Sequence, residues 1–376
     1  MTTSTDTQQP TTPTEPVTGS SILSYELPNP QQLREQLPLN QQLADKIVQQ
    51  RQQVRDILQQ RDPRLLVVIG PCSIHDPQAA LEYAQRLELL NKRLGQHMLL
   101  AMRVYIEKPR TTVGWKGLLY DPHLDGSYDM HSGLEQSRSL MLSIAELGLP
   151  VATELLQPLA AQYFSDLLSW VAIGARTSES QIHREMVSGL QLPTGFKNGT
   201  DGSVQIAIDA MRSAAYGHQY MGVDECGQIA LLQALGNPDT HLVLRGGQNG
   251  SNYGVQAIKQ AMLALEKSGL QPSIMVDCSH ANSGKNPLRQ EQVLLEVVRQ
   301  RQQGNHNLCA VMLESHLHDG AQQLGTFAQL RALLDGGYTG AISLEPFAPE
   351  VLTLPDPAPA IRECIVELRE ALSAPA

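Results

Sequence analysis

Positive charge is scarce: the 376 residues carry 28 Lys and Arg against 38 Asp and Glu, a formal net charge of −10. No basic cluster interrupts that balance, which argues against nucleic acid as the main ligand, because binding a phosphate backbone needs concentrated Lys and Arg. No uninterrupted apolar stretch reaches the roughly 20 residues needed to cross a bilayer, so no membrane partner is expected. The first twenty residues lack the basic start and apolar run of a secretory signal, and the protein is expected in the cytoplasm. Five cysteines, Cys72, Cys226, Cys278, Cys309 and Cys364, are odd in number and irregular in spacing. They do not form a disulfide framework and read as reduced thiols. The glycine-rich stretches GFKNGTDG (195–202) and LRGGQNG (244–250) match neither the Walker pattern nor GxGxxG, so nucleotide binding has little support.

What is present divides into four segments. Residues 1–20 hold Thr, Gln, Pro and Ser with almost no large apolar side chain, and such a segment cannot offset its ordering entropy; a disordered tail is expected. Residues 21–60 read as an N-terminal arm and a helix. The arm, around SILSYEL and the turn-prone LPNP, is expected to lie extended on a neighbouring surface, whereas Leu43, Ile47, Val54, Ile57 and Leu58 form a helical stripe over 41–60.

From Leu65 onward, eight short runs rich in Val, Ile and Leu alternate with longer amphipathic stretches: 65–73, 99–106, 149–155, 170–175, 193–198, 241–246, 273–280 and 309–316. Runs without clean alternation suit strands buried on both faces, and eight of them with intervening helices point to an α/β fold, a (β/α)8 TIM barrel over 61–320. A doubly wound open sheet is the rival. Barrel chemistry sits at the carboxyl ends of the strands, which here present Cys72, Arg103 with Lys108 and Arg110, Glu154, Arg176, Lys197, Arg245, His280 and Glu314. Any one of these cations could be an ordinary solvated charge. Gathered at matched positions in an acidic protein, they suggest a site for phosphate and carboxylate. Cys72, His280 and Glu314 offer a thiolate, an imidazole and a carboxylate, donors suited to a divalent transition metal, although Cys and His are often merely packed; His306, His316 and His318 compete for the same role.

At this point the motifs converge. GPCSIHD (70–76), MRVYIEKPRTTVGWKGLLYDP (102–122), AIGARTSESQIHRE (172–185), GFKNGTDG (195–202), LRGG (244–247), DCSHANSGK (277–285) and MLESH (312–316) closely resemble the type I 3-deoxy-D-arabino-heptulosonate 7-phosphate (DAHP) synthases over about residues 42–320. The resemblance implies a barrel that condenses phosphoenolpyruvate with erythrose 4-phosphate and water, the first step of the shikimate pathway. It implies that Arg176, Lys197 and Arg245 hold the phosphate of phosphoenolpyruvate, with Arg103 and Lys197 near its carboxylate, and that Lys108, Arg110 and Thr111 hold erythrose 4-phosphate. Lys197, Arg103 and Lys108 become the catalytic candidates. Cys72, His280 and Glu314 match three of the family's four ligands for a divalent Mn, Fe, Co or Zn ion. A homo-oligomer inhibited by an aromatic amino acid is implied as well, with Gln191 and Leu192 of GLQLPT in the effector segment.

The resemblance breaks after ESHLHDG. The family's segment resembling SITDACIGW, whose Asp is the fourth ligand, has no counterpart in 321–376, and residues 324–376 resemble instead the C-terminal part of a sugar isomerase/epimerase barrel, with a strand-end Glu345. The expectation is an atypical C-terminal strand–helix tail that packs outside the closed barrel; the alternatives are a tail that brings Glu345 over the rim as a substitute fourth ligand, or a poorly ordered one that leaves the metal site incomplete, with Asp319 and Asp335 as further candidate ligands. The alternative to a working synthase is a phosphoenolpyruvate-binding pseudoenzyme with an incomplete metal site.

Overall fold

The computed structural model describes residues 24–110, 113–317 and 324–325. Eight parallel strands close on themselves: β1 (Leu65–Gly70), β2 (Met98–Arg103), β3 (Val151–Glu154), β4 (Trp170–Ile173), β5 (Thr194–Lys197), β8 (Thr240–Leu244), β9 (Ile274–Asp277) and β10 (Leu308–His316). Closure is made by β1 on β10, where Leu66 lies opposite Ala310 and Gly70 opposite Glu314. The eight runs read from sequence are these strands, and the open-sheet alternative is excluded.

Because side chains alternate across a strand, each run supplies two cores. In β1, Leu65, Val67 and Ile69 face outward to the helices, whereas Leu66 and Val68 face the barrel interior. The outer ring comprises α3 (Pro77–Leu94), α4 (Met130–Leu147), α5 (Ala160–Phe164), α6 (Gln181–Gly189), α7 (Gln205–Ala214), α8 (Val255–Lys267) and α9 (Gln290–Gln302). The interior is closed by α2 (Gln41–Leu58), whose Val54, Ile57 and Leu58 pack with Leu66, Leu99, Trp170 and Met312. Burying each such side chain is worth about 1.5–3 kcal/mol; the C-terminal half of the helical stripe anticipated over 41–60 thus plugs the barrel, whereas its Leu43 and Ile47 pack with the outer core.

Two elements depart from expectation. The arm contains a short helix, α1 (Pro30–Gln36), started by a reciprocal capping box between Asn29 and Gln32 with Pro30 in the first turn; LPNP is thus a helix start as well as a turn. Between α7 and β8 the chain forms an antiparallel ribbon of β6 (His218–Val223) and β7 (Ile229–Ala234). The turn of that ribbon receives α1, through the Gln31 N–H donating to the Glu225 carbonyl at 3.0 Å and an Arg34–Glu225 ion pair at 3.0 Å.

One interior pair carries a pH prediction. The Trp170 indole N–H donates to Nε2 of His241 at 2.8 Å, and both residues are fully buried. Burial drives the His241 pKa down to about 4 from an unfolded value near 6.5. Its neutral form is therefore the folded form: the stabilisation is complete above the unfolded value and is lost as pH falls toward 4, about 3 kcal/mol in all. Urea unfolding between pH 7 and 4 should show this loss, and His241→Gln should flatten it; an equal slope in the variant would assign the acid sensitivity elsewhere.

Candidate active site

The carboxyl ends of the strands enclose two buried clusters of charge. In the first, Lys197 at the end of β5 donates to Oε2 of Glu154, at the end of β3, at 2.8 Å, and lies 3.7 Å from Oδ2 of Asp277 at the end of β9. Glu154, Lys197 and Asp277 are 5%, 3% and 0% exposed, so these charges exist only by mutual compensation. Burial alone would neutralise Lys197, but Glu154, Tyr105 and Asp277 raise its pKa and keep the ammonium charged. Burial likewise opposes the Glu154 carboxylate, which Lys197 holds below the usual range. Gly174 is required beside it, since a Cβ there would stand 2.7 Å from Oε1 of Glu154.

Asp277 extends this cluster to His280. Its Oδ2 is 2.9 Å from Nδ1 of His280, and its Oδ1 accepts the Ser279 hydroxyl at 2.6 Å. Against the cost of burial, His280 and Lys197 hold the Asp277 carboxyl well below the usual carboxylate range. Engaging Nδ1 fixes the ring and leaves Nε2 as the donor available to a metal.

In the second cluster Arg103, at the end of β2, donates to Oε1 of Glu314 in β10 at 2.9 Å, to the Cys72 carbonyl at 3.1 Å and to the Pro71 carbonyl at 3.0 Å. Its guanidinium carbon lies 3.6 Å from the centre of the Tyr105 ring, and the Lys197 ammonium lies 5.7 Å from the same ring. Tyr105 therefore joins the two clusters, and burial pushes its hydroxyl up to about 12. The Cys72 thiol neighbours Glu314 closely enough to hydrogen-bond with it; burial first and then the Glu314 charge push the thiol pKa up. Lys108 completes this side, its ammonium 3.2 Å from the Ser73 hydroxyl and 3.7 Å from the Cys72 sulfur.

Arg176 and Arg245 lie close enough that Arg176 disfavours the charge on Arg245, whose pKa is lowered mainly by burial. Two guanidiniums in that relation favour an anion between them. Arg245 is aligned by a residue that the sequence reading passed over. The fully buried Asn198 accepts the Arg245 backbone N–H at 2.8 Å and donates to the Gly246 carbonyl at 3.0 Å. Gly246 has φ +73°, and a Cβ there would lie 2.8 Å from the backbone of Ala281. Glycine here permits the LRGG loop to pack against the residues that lead into DCSHANSGK.

The structure thus brings together Arg103, Lys108, Cys72 and Glu314 on one side, and Lys197 with His280 on the other, with Arg176 beside Arg245. Arg110 stands apart, exposed, its side chain donating to the Trp115 carbonyl at 2.7 Å. Thr111, Glu345, Asp319 and Asp335, together with the disordered tail expected over 1–20 and most of the divergent segment 321–376, lie outside the described residues. The donor set suits a borderline divalent cation: a thiol held next to a carboxylate that opposes its ionisation, and an imidazole fixed at one nitrogen. Among the described residues, no three His, Cys, Asp or Glu side chains converge into a preformed metal cluster. Tyr105, Asp277 and Asn198 are the residues that sequence reasoning missed, although Asp277 ends the run SIMVD and Asn198 follows Lys197 in GFKNG.

Comparison with known proteins accords with this geometry. Residues 40–334 match the DAHP synthetase I family. The chain is 56% identical over 262 residues to the Tyr-sensitive phospho-2-dehydro-3-deoxyheptonate aldolase of Escherichia coli, spanning 70% of this chain and 73% of that one. It is 48% identical over 268 residues to the phenylalanine-inhibited enzyme of Saccharomyces cerevisiae, covering 70% and 72%. The structure of the Francisella tularensis phospho-2-dehydro-3-deoxyheptonate aldolase superposes with a TM-score of 0.77 at 40% identity, over 81% of this chain and 88% of that one. The likeness of residues 324–376 to a sugar isomerase is not borne out, because the family match continues to residue 334. The chain belongs to the DAHP synthetase I family.

Proposed function

We propose that this protein is a DAHP synthase, condensing phosphoenolpyruvate with erythrose 4-phosphate and water to release phosphate and 3-deoxy-D-arabino-heptulosonate 7-phosphate. The observation that carries the proposal is the buried Glu154–Lys197–Asp277 cluster beside Arg103, on a barrel whose relatives bear that enzyme's name. Arg176, Lys197 and Arg245 are assigned to the phosphate of phosphoenolpyruvate, and Arg103 with Lys197 to its carboxylate. These fixed cations are positioned to stabilise the negative charge that moves through a tetrahedral intermediate as phosphate departs. Lys108, Arg110 and Thr111 are assigned to erythrose 4-phosphate. The synthase reading is favoured over the pseudoenzyme alternative by the family match over residues 40–334 and by relatives that bear the enzyme's name.

Those three residues, with Nε2 as the His280 donor, would hold a divalent Mn, Fe, Co or Zn ion. When bound, the ion supplies a Lewis acid for the aldehyde carbonyl of the sugar phosphate. Asp277 keeps the His280 ring oriented, and Lys108 approaches the Cys72 sulfur, a contact that only partly offsets the burial and the Glu314 charge that oppose ionisation of the thiol. The test is phosphate release from phosphoenolpyruvate that depends on erythrose 4-phosphate; phosphoenolpyruvate binding without turnover under any metal would favour the pseudoenzyme.

Regulation and assembly extend the proposal. Relatives named Tyr-sensitive, phenylalanine-inhibited and Trp-sensitive are matched at 48–56% identity, which supports an aromatic amino acid as effector and limits the assignment to that class. In the effector segment Gln191 is exposed and Leu192 is buried. A homo-oligomer is supported by the ribbon, where Met221, Ile229 and Leu231 share one face and are 82%, 81% and 72% exposed, an apolar surface suited to a second copy. Met221→Asp with Leu231→Asp should reduce the mass measured by light scattering to that of one chain; an unchanged oligomer would place the interface elsewhere.

A further inference from the structure

Glu107 is buried at 2% exposure, directly before the loop that begins with Lys108, and the mechanism above does not use it. Its carboxylate accepts three neutral donors: the Leu156 N–H at 3.1 Å, the Gln157 N–H at 3.1 Å and the Tyr120 hydroxyl at 3.3 Å. Among the described residues, no Lys or Arg is a hydrogen-bond partner of this carboxylate. A carboxylate buried without a cation is a costly way to hold a fold together, so its position calls for a reason.

Its surroundings supply one. The loop after Glu107 is pinched shut at its neck: the Lys108 N–H donates to the Lys116 carbonyl at 2.8 Å, and the Leu119 N–H to the Ile106 carbonyl at 3.1 Å. Gly117, at φ +114°, packs so closely that a Cβ would stand 2.2 Å from the Ile106 oxygen and 2.8 Å from the Cα of Glu107. The carboxylate ties this neck to the chain leaving β3, and that anchor is held from behind, since the Leu156 carbonyl lies 2.8 Å from Nε2 of His183. Tyr120, on the far side of the loop, closes the third point of attachment. The direction in which Lys108 points, toward Ser73 and Cys72, therefore depends on the clamp one residue before it.

We propose that Glu107 is a positioning residue for the sugar-phosphate substrate, clamping the neck formed by Lys108 and residues 116–119 so that Lys108 meets the phosphate of erythrose 4-phosphate. The inference rests on the assignment of that loop to erythrose 4-phosphate. It predicts a selective effect, because the phosphoenolpyruvate residues Arg176, Lys197 and Arg245 lie on other strands, and Arg103, although it ends β2, is held by the Pro71 and Cys72 carbonyls and Glu314 rather than by this neck.

The clamp should also be sensitive to pH. The groups facing Glu107 are Tyr120 and, through space, Glu154; burial, assisted by the Glu154 charge, pushes its carboxyl up to about 7. Protonation converts one acceptor oxygen into a donor facing donors, and one tie is lost.

Steady-state kinetics of Glu107→Gln test this. The KM for erythrose 4-phosphate should rise about tenfold while that for phosphoenolpyruvate stays within about twofold. In the unsubstituted protein the same KM should rise as pH falls through about 7, and Glu107→Gln should remove that dependence. If Glu107→Gln does not fold, Tyr120→Phe removes one tie only, and a rise of about threefold in the same KM is expected. Turnover with an unmoved erythrose 4-phosphate KM, in Glu107→Gln or, where that variant does not fold, in Tyr120→Phe, overturns this inference alone. Absence of turnover in the unsubstituted protein overturns the synthase assignment, and this inference with it.

Discussion

Lys197→Met is expected to abolish phosphate release and to destabilise the barrel by about 3–5 kcal/mol, because it removes one partner of a buried ion cluster and strands the others. Methionine keeps most of the stem but leaves Glu154 and Asp277, 5% and 0% exposed, without the ammonium that lies 2.8 Å and 3.7 Å from them. One carboxylate must then take up a proton, so the variant should lose part of its stability deficit at lower pH. Adding Glu154→Gln should recover stability without restoring turnover, since the cation that meets phosphoenolpyruvate is still missing. The double-mutant cycle read by urea unfolding and by phosphate release separates the two roles. Full activity in Lys197→Met would remove Lys197 from the substrate site.

The second large effect concerns the metal donors. Cys72→Ala and His280→Ala should each weaken binding of Mn(II) at least about 100-fold, judged against the 10- to 100-fold typical of losing an outer-shell partner, and calorimetric titration reads this directly. Turnover should fall in parallel. Asp277→Asn should fall between the single variants and the unsubstituted protein, since it acts by orienting Nδ1 of His280 at 2.9 Å and by balancing Lys197. Either alanine variant retaining full affinity would show that its side chain is no ligand.

The barrel was legible because a buried parallel strand needs uninterrupted Val, Ile and Leu, and such runs stand out between amphipathic helices. The ribbon was less legible for the same reason. Burial alternates along His218–Val223 and Ile229–Ala234, but apolarity does not follow it, because Met221, Ile229 and Leu231 lie on the exposed face, and the strands show neither a long apolar run nor a period-two pattern. The short helix α1 hid behind its own start signal, Pro30 after Asn29, which reads equally as a turn. Cations at strand ends could be listed from the sequence, and Lys197, Arg103, Arg176 and Arg245 are where the strand count placed them. Their partners could not be listed in this way. That Lys197 meets both Glu154 and Asp277, or that Tyr105 lies between two cations, depends on the tilt and register of β2, β3, β5 and β9 in the closed sheet. Asn198 was invisible because its role is to bridge two βα loops 47 residues apart.

The central claim is that this chain's own strand-end residues support the condensation. The most direct test is phosphate release from phosphoenolpyruvate in metal-stripped protein, with and without erythrose 4-phosphate, before and after Mn(II) is restored. Release that requires both the second substrate and the metal is the predicted result. Phosphoenolpyruvate binding with no release under any divalent metal would contradict it.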